Sequence, residues 1–289
     1  MTHVTASTSG YSARRTLSVR VELVRQLRRR RTLIAFAVGI ALPLIVVAAV
    51  KLGPSSSGGG GGFGDGDLDL VGLATSGAWN FALTMLFFGS GFLLTIIAAM
   101  FLGDSVASEA SWSTLRYLLA APVPRRRLLF AKAAVGLILT ASTLVILVAA
   151  SWIIGALAFG TSPLTSPLGG SFDVTESWGR IGIVTGYIMI VLLIPAGLAF
   201  LMSVLTDVPL GAVGAAVVIV IVVNILDAIE ALGSIRTFLP GEYSNAWVGA
   251  LNATIDWDTM ARGVAYSLIA FGLFALIATL RFDRKDITS

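Results

Sequence analysis

The chain of 289 residues has no cysteine and only one histidine, His3. Without cysteine it can form no disulfide, thiolate nucleophile or iron–sulfur cluster. With its single histidine in the polar N-terminal tail, it lacks the paired imidazoles of a helical zinc-protease motif and a buried imidazole for general-base catalysis. We therefore expect no catalytic residue, no metal site and no cofactor site in this chain.

Charged residues are scarce as well. They make up 12% of the sequence, whereas an ordinary soluble domain has about a quarter. Hydrophobic residues make up 56%, and the mean hydropathy is +0.90. A water-soluble globule could not bury so much apolar surface, so a soluble enzyme is excluded. The net charge of +4 is also too small to indicate a nucleic-acid partner.

An ATP-binding loop is missing too, although the chain contains five consecutive glycines, Gly58–Gly62. A P-loop requires Gly-Lys-Ser or Gly-Lys-Thr, and the three lysines here are followed by Leu52, Ala133 and Asp286. The Gly- and Ser-rich stretch within residues 51–78 is typical of a flexible external linker.

Six apolar runs are present, each long enough to cross a bilayer core as a helix of roughly 20 residues. They are Thr32–Val50, Trp79–Gly103, Phe130–Leu157, Ile181–Leu205, Pro209–Leu226 and Arg262–Leu280. The sequence therefore predicts an all-α integral membrane protein with six spans. Its parts are a tail and surface helix (1–31), a transmembrane domain (32–281) and a second tail (282–289).

The distribution of Lys and Arg predicts the orientation of these spans. With both termini in the cytoplasm, sixteen of the twenty basic residues lie on the cytoplasmic side. Lys51, Arg180, Arg236 and Arg262 are the four on the outside, and the acids divide the other way, six inside and ten outside. This asymmetry follows the positive-inside rule. It predicts a multi-pass membrane protein with both termini in the cytoplasm. The Ala-, Gly-, Val- and Arg-rich composition suggests a GC-rich bacterial genome, so the expected compartment is a bacterial plasma membrane.

Two segments outside the spans have a pattern of their own. Leu17, Val21, Val24 and Leu27 follow helical spacing among the arginines before the first span. They predict an amphipathic helix along the inner surface, the alternative being an unstructured basic cluster.

Residues 230–259 are too apolar for a free loop and too interrupted for a span. Short helices dipping into the outer leaflet and a folded outer cap both fit them.

Asp227 and Glu230 lie one helical turn apart near the outer end of the fifth span. Carboxylates at membrane depth are typical of ion-coupled carriers, which makes these two residues candidates for ion coupling. The alternative is that they mark the water boundary where the helix ends, since Gly233 and Arg236 follow soon after.

The loop after the second span, residues 104–129, is the most informative segment. Trp112, Leu115, Leu118 and Leu119 fall on one side of a short predicted helix that ends before Pro122. The alternative is a plain surface helix with a basic anchor. The loop also has a fixed pattern of motif residues, which are Glu109, Thr114-Leu115, Leu118-Leu119, Pro122-Val123, Arg125 and Lys132.

This pattern resembles the signature of type-2 ATP-binding-cassette (ABC) exporter permeases. Ser113 replaces the usual Gly of that signature, and Pro124 replaces a frequent Ser. The resemblance implies a permease dimer with an identical or homologous second six-span chain and a separate ATPase subunit that binds ATP and Mg. It implies that the cytoplasmic loop couples to this ATPase through a set of nine residues. These are Glu109, Trp112, Thr114, Leu115, Arg116, Leu119, Pro122, Arg125 and Lys132, the last two also fixing the loop against lipid head groups and adjacent chain.

The expected function is therefore ATP-driven export of an apolar or amphiphilic substrate, such as a drug, an antibiotic peptide or a lipid. Two other hypotheses remain open at this stage. One is an ion-coupled secondary transporter that uses Asp227 and Glu230, and the other is a membrane scaffold that transports nothing.

Overall fold

The computed structural model describes residues 19–53, 70–111, 124–166, 169–229 and 239–284, together with 231, 233 and 236. Most of the N-terminal tail, most of the Gly-rich linker and residues 112–123 of the cytoplasmic loop lie outside the described residues. Predictions on those segments are therefore not addressed by the fold.

Helices dominate the described residues. The α-helices are α1 (Val19–Leu27), α2 (Arg30–Leu52), α3 (Leu70–Thr75), α4 (Ala78–Phe88), α5 (Leu94–Ser111), α6 (Arg125–Phe159), α7 (Val174–Val191), α8 (Leu193–Leu205), α9 (Pro209–Asp227) and α10 (Trp257–Asp283). A π-helical turn, Gly89–Leu93, joins α4 to α5, and a 3₁₀ helix covers Ala246–Leu251. The strands β1 (Leu164–Thr165) and β2 (Ser171–Phe172) pair antiparallel.

Six helical segments are long and apolar enough to cross a membrane, which confirms the predicted all-α membrane fold. They are Arg30–Leu52, Ala78–Ser111, Arg125–Phe159, Val174–Leu205, Pro209–Asp227 and Trp257–Asp283. Several extend past the apolar runs in the sequence, because a helix continues through polar residues as long as its backbone hydrogen bonds are made. The third span, for example, begins at Arg125 rather than Phe130.

The spans differ in how much of their surface the rest of the chain covers. In the most apolar stretch of the second and fourth spans, 56% and 67% of residues are buried. In the fifth span the share is only 11%, and in the first and sixth it is 17%. The second and fourth spans therefore form the centre of the bundle. The other three leave apolar side chains facing outward, as expected for contact with lipid or with another chain.

The helix α1 forms as predicted, but the face it buries is not the apolar one. Its buried residues are Glu22 and Gln26, whereas Val21 and Val24 are 64% and 44% exposed. Val21 and Val24 thus face outward, and Glu22 and Gln26 pack on the spans together with the half-buried Val19 and Leu23. We call this end of the bundle, where α1 lies, the basic end.

The opposite end, the hairpin end, has a folded cap. Trp247, Ala250 and Leu251 of the 3₁₀ helix are buried with Leu164 and Phe172 of the hairpin in one apolar cluster. Of the two arrangements predicted for 230–259, its described part therefore adopts the folded cap.

A buried arginine holds this cap to the spans. Arg180 in α7 is only 4% exposed, and its guanidinium donates hydrogen bonds to the carbonyl oxygens of Ala250 (2.6 Å), Asn252 (2.5 Å) and Ala253 (3.2 Å). It also pairs with Glu176 at 2.7 Å. These bonds supply the carbonyls at the end of the 3₁₀ helix with donors that they would otherwise lack inside the protein.

Replacing Arg180 by Ala is expected to destabilise the cap. The change leaves the buried carbonyl of Ala250 and the partly buried carbonyls of Asn252 and Ala253 without this donor, at a cost of about 3 kcal/mol. The measurement is the melting temperature in detergent together with protease sensitivity of residues 239–256. Arg262→Ala is the matched control, because Arg262 is an exposed arginine near the start of α10. Equal melting temperatures for the two variants would contradict this role of Arg180.

Candidate functional site

The base of the cytoplasmic loop is the site to which the motif residues point. The chain leaves α5 at Ser111 and enters α6 at Arg125, after the N-cap residue Pro124. Glu109 lies two residues before the end of α5, and Lys132 lies two turns into α6. Both side chains are 2% exposed. Two charged groups of opposite sign are therefore buried where the loop begins and ends.

These two residues form a direct ion pair. The ammonium of Lys132 lies 2.6 Å from Glu109 Oε1 and donates a second hydrogen bond to the carbonyl oxygen of Ser105 at 2.9 Å. Its distance to Glu22 Oε1, on α1, is 3.8 Å. The pair joins α5 to α6 and closes the base of the loop, and Glu22 brings α1 to the same point.

A second cation from α1 completes the cluster. Arg25 Nη2 donates to Glu109 Oε1 at 2.5 Å and to Glu22 Oε1 at 2.8 Å. Gln26 Nε2 donates to Glu22 Oε1 at 2.9 Å. The cluster thus contains two carboxylates and two cations, and its charges balance. Balance of this kind is what makes buried charge tolerable, because an unpaired buried ion loses its hydration without compensation. We call Glu22, Arg25, Glu109 and Lys132 the ion clamp.

The pKa values of the α1 residues follow from this arrangement. Burial alone would raise the pKa of Glu22, but the positive charge of Lys132 and the hydrogen bonds from Arg25 and Gln26 outweigh it and lower that pKa. Burial alone would lower the pKa of Arg25, and the two carboxylates outweigh it and raise the value. Both shifts favour the charged forms, so α1 is bound to the spans through ions.

A second set of contacts flanks the clamp. Asp104 in α5 forms an ion pair with Arg31 at the start of α2, and Arg29 Nη1 lies 3.6 Å from Asp104 Oδ2. Arg31 Nη2 also donates to Gln26 Oε1 at 2.7 Å. The junction between α1 and α2 is therefore fixed to α5 independently of Lys132.

The second span is in turn bound to the fourth. The backbone N–H groups of Val106 and Ala107 in α5 both donate to Ser203 Oγ in α8, each at 3.0 Å. The base of the loop is thus part of a connected polar network that reaches from α1 through α5 to the centre of the bundle.

Arg125 makes a separate connection at the start of α6. Its guanidinium donates to the carbonyl oxygens of Phe282 (3.3 Å) and Asp283 (3.1 Å) at the end of α10. The neighbouring Arg126 pairs with the Asp283 carboxylate at 3.2 Å. These bonds attach the end of the loop to the end of the sixth span.

The structure brings together Glu109 and Lys132 from the predicted coupling set, whereas Arg125, at the start of α6, bonds to the end of α10 instead. Trp112, Thr114, Leu115, Arg116, Leu119 and Pro122 lie outside the described residues. Their contact with an ATPase stays a prediction.

The structure shows what two residues of this set contact within the chain. The carboxylate of Glu109 is buried and bonded to Lys132 and Arg25, and its contact with an ATPase stays a prediction. The ammonium of Lys132 is buried against Ser105 and Glu109, and its contact with lipid head groups stays a prediction. Both residues hold the base of the loop.

The apolar pattern of the sequence did not indicate that α1 contributes residues to the ion clamp. Glu22 is the single acidic residue before Asp65 and is surrounded by arginines, with Gln26 one turn later. A lone acid on a basic helix could have indicated that this face binds another part of the chain. The apolar spacing of Val21 and Val24 instead indicated contacts for the other face of the helix.

Asp227 lies at the end of α9, where its Oδ1 is 3.8 Å from Arg236 Nε. Glu230 is not among the described residues, so the pairing of the two carboxylates for ion coupling stays a prediction. Within the described part of the chain, no group of three or more His, Cys, Asp or Glu side chains could hold a metal ion.

Removing the ammonium of Lys132 is expected to destabilise the basic end. Lys132→Met leaves two buried carboxylates with Arg25 as the remaining cation of the clamp, and breaking a buried pair in this way costs about 3 kcal/mol. Thermal unfolding in detergent measures the loss. Adding Glu109→Gln should restore part of it, because the uncompensated charge is removed. Lys51→Met, at an exposed lysine of the hairpin end, is the control. A melting temperature for Lys132→Met equal to that of the control would contradict the clamp.

Comparison with known proteins gives a family. Residues 63–288 match the model of a family described as Protein of unknown function (DUF2705). The match includes Glu109 and Lys132 of the clamp and ends short of Glu22 and Arg25 on the N-terminal side. No curated protein matches the chain. Because the family model covers well over half of the sequence, this six-span chain belongs to the DUF2705 family of proteins of unknown function.

Proposed function

We propose that this chain is the permease subunit of an ATP-driven ABC exporter, powered by a separate ATPase subunit. The observation that carries the proposal is the ion clamp at the base of the loop after the second span. Glu109 and Lys132, the first and last residues of the motif, are paired at 2.6 Å and buried. A motif whose two ends meet in a buried ion pair favours a loop that is held in a fixed position for a partner.

The clamp gives a displacement of the loop a route into the membrane. Glu109 and Lys132 join α5 to α6 at the base of the loop, and Arg25 binds α1 to Glu109. The hydroxyl of Ser203 accepts a hydrogen bond from α5 and so joins α5 to α8. A push on the loop would therefore move several helices together, since buried ion pairs and hydrogen bonds are costly to break. ATP and Mg would be bound by the partner, because this sequence has no P-loop.

The distribution of charge supports the orientation and the compartment. The clamp, Arg29, Arg31 and Arg125–Arg127 all lie at the basic end, whereas Arg180 lies at the hairpin end. By the positive-inside rule the basic end faces the cytoplasm. The chain would then sit in a bacterial plasma membrane with both termini inside, where a cytoplasmic ATPase can reach the loop.

An apolar groove supports an apolar or amphiphilic substrate. It lies between the second and fifth spans, has a volume of about 290 Å³ and is lined by Phe92 and Ile221 among other apolar residues. Thr95 and Asn224 are its polar side chains. The π-helical turn Gly89–Leu93 borders it, and such turns are frequent at functional sites. The groove offers no charged group that would recognise an ionic substrate.

Filling the groove is expected to weaken substrate binding. A Cβ built at Gly91 meets nothing within 4 Å, so Gly91→Leu adds bulk to the groove without a clash. Substrate affinity should fall about tenfold, as overpacking of a binding surface predicts. Gly186→Leu is the matched control, because its Cβ also meets nothing within 4 Å and Gly186 does not line the groove. Stimulation of ATP hydrolysis by candidate substrates provides the measurement, and equal stimulation in the two variants would contradict this site.

The partner is tested by purifying the tagged chain from its native host in mild detergent and identifying copurifying proteins by mass spectrometry. We expect a stoichiometric nucleotide-binding ATPase and a second six-span chain, identical or homologous. Leu115→Arg should abolish recovery of the ATPase and leave the melting temperature unchanged, whereas Val174→Arg, at the exposed start of α7 on the hairpin end, should retain the ATPase. Recovery of this chain alone, both from detergent and after cross-linking in intact membranes, would contradict the proposal and favour an ion-coupled carrier or a scaffold.

A further inference from the structure

A second groove lies at the basic end between α8 and α10, and no residue of the ion clamp lines it. Its volume is about 530 Å³, within the range of small-molecule sites. Val204, Leu205, Ile277 and Leu280 give it an apolar wall, and Arg281 and Arg284 complete its lining. One groove therefore combines an apolar surface with two guanidinium groups.

The two arginines have no carboxylate partner among the described residues. The acid nearest to them in sequence, Asp283, pairs with Arg126, and the carbonyl oxygens of Phe282 and Asp283 accept from Arg125. Arg281 and Arg284 are both exposed, and they are three residues apart on one helical turn. Their donors are therefore available to a ligand from outside the chain.

The charge at this corner is strongly positive. Arg125 and Arg126 at the start of α6 bond to Phe282 and Asp283 at the end of α10, which lie between Arg281 and Arg284 in sequence. The carboxylates near this corner in sequence are Asp283, which pairs with Arg126, and Asp207, two residues after Leu205. Four arginines against two acids leave a net positive charge, which attracts an anion.

We propose that this groove binds one anionic phospholipid of the leaflet at the basic end. The apolar wall would cover an acyl chain, and Arg281 and Arg284 would donate to the phosphate, for which the planar guanidinium fork is well suited. A groove at the edge of six membrane spans is in reach of lipid at all times. Basic grooves between membrane helices bind anionic head groups for this reason. The inference does not depend on an ATPase partner.

The test is a titration of the full-length chain in detergent with phosphatidylglycerol and phosphatidylcholine, followed by native mass spectrometry. We expect one phosphatidylglycerol per chain to bind roughly tenfold or more tightly than phosphatidylcholine. Arg281→Gln with Arg284→Gln should remove that preference. Arg28→Gln with Arg30→Gln is the matched control, because it removes the same charge from exposed arginines at the same end and should leave the preference intact.

A second variant tests the apolar wall. Leu280 is 47% exposed, so Leu280→Trp fills the groove without disturbing the core. This variant should weaken the binding of phosphatidylglycerol although both arginines remain. Inorganic phosphate should bind far more weakly than the lipid. The proposal is overturned by any of three results. The first is an equal loss of the phosphatidylglycerol preference in both arginine double variants. The second is phosphate binding as tight as lipid binding. The third is that Arg281→Gln with Arg284→Gln leaves lipid binding unchanged and loses a copurifying protein.

Discussion

The arrangement of the basic end depends on one constraint, which is that the buried ammonium of Lys132 must be neutralised. Its side chain is 1% exposed, and a cation removed from water to that extent requires a carboxylate at contact distance. Glu109 on α5 supplies this carboxylate. Because the carboxylate is buried, it also attracts Arg25 of α1, and Glu22 of the same helix then lies near Lys132. The closure of the loop and the attachment of the second span to the third follow from this requirement, and the surface helix is held by the same cluster together with the ion pair of Asp104 and Arg31.

The spans could be predicted from the sequence, and the ion clamp could not. Apolar runs of roughly twenty residues are stable in a bilayer as helices, so the six spans follow from composition and length. The clamp depends on which side chains from distant segments come together: Glu22 and Glu109 are far apart in sequence and meet only after α1 packs on the bundle. The motif indicated Glu109 and Lys132 but not that they bond to each other.

The amphipathic pattern of α1 was correct as a helix signal and misleading about contacts. For a soluble helix the apolar face is the buried one, whereas a helix beside a bilayer can leave Val21 and Val24 to the lipid and pack a mixed face, with Glu22 beside Leu23, on the protein. The role of Arg180 was missed for a related reason. The positive-inside rule treats Arg180 only as one of four basic residues on the outer side. In the structure its guanidinium donates hydrogen bonds to three carbonyls of the cap.

The central claim is that the ion clamp makes α1 and the base of the loop move as one unit when the proposed ATPase partner binds ATP. The chain has no cysteine, so spin labels at Val24→Cys and Ser111→Cys would be the only labels present. Their separation is measured in the reconstituted complex with and without ATP, beside that between Val24→Cys and Leu210→Cys at the exposed start of α9. The account predicts that the first distance stays constant and the second changes. A change in the first distance on ATP binding would contradict it.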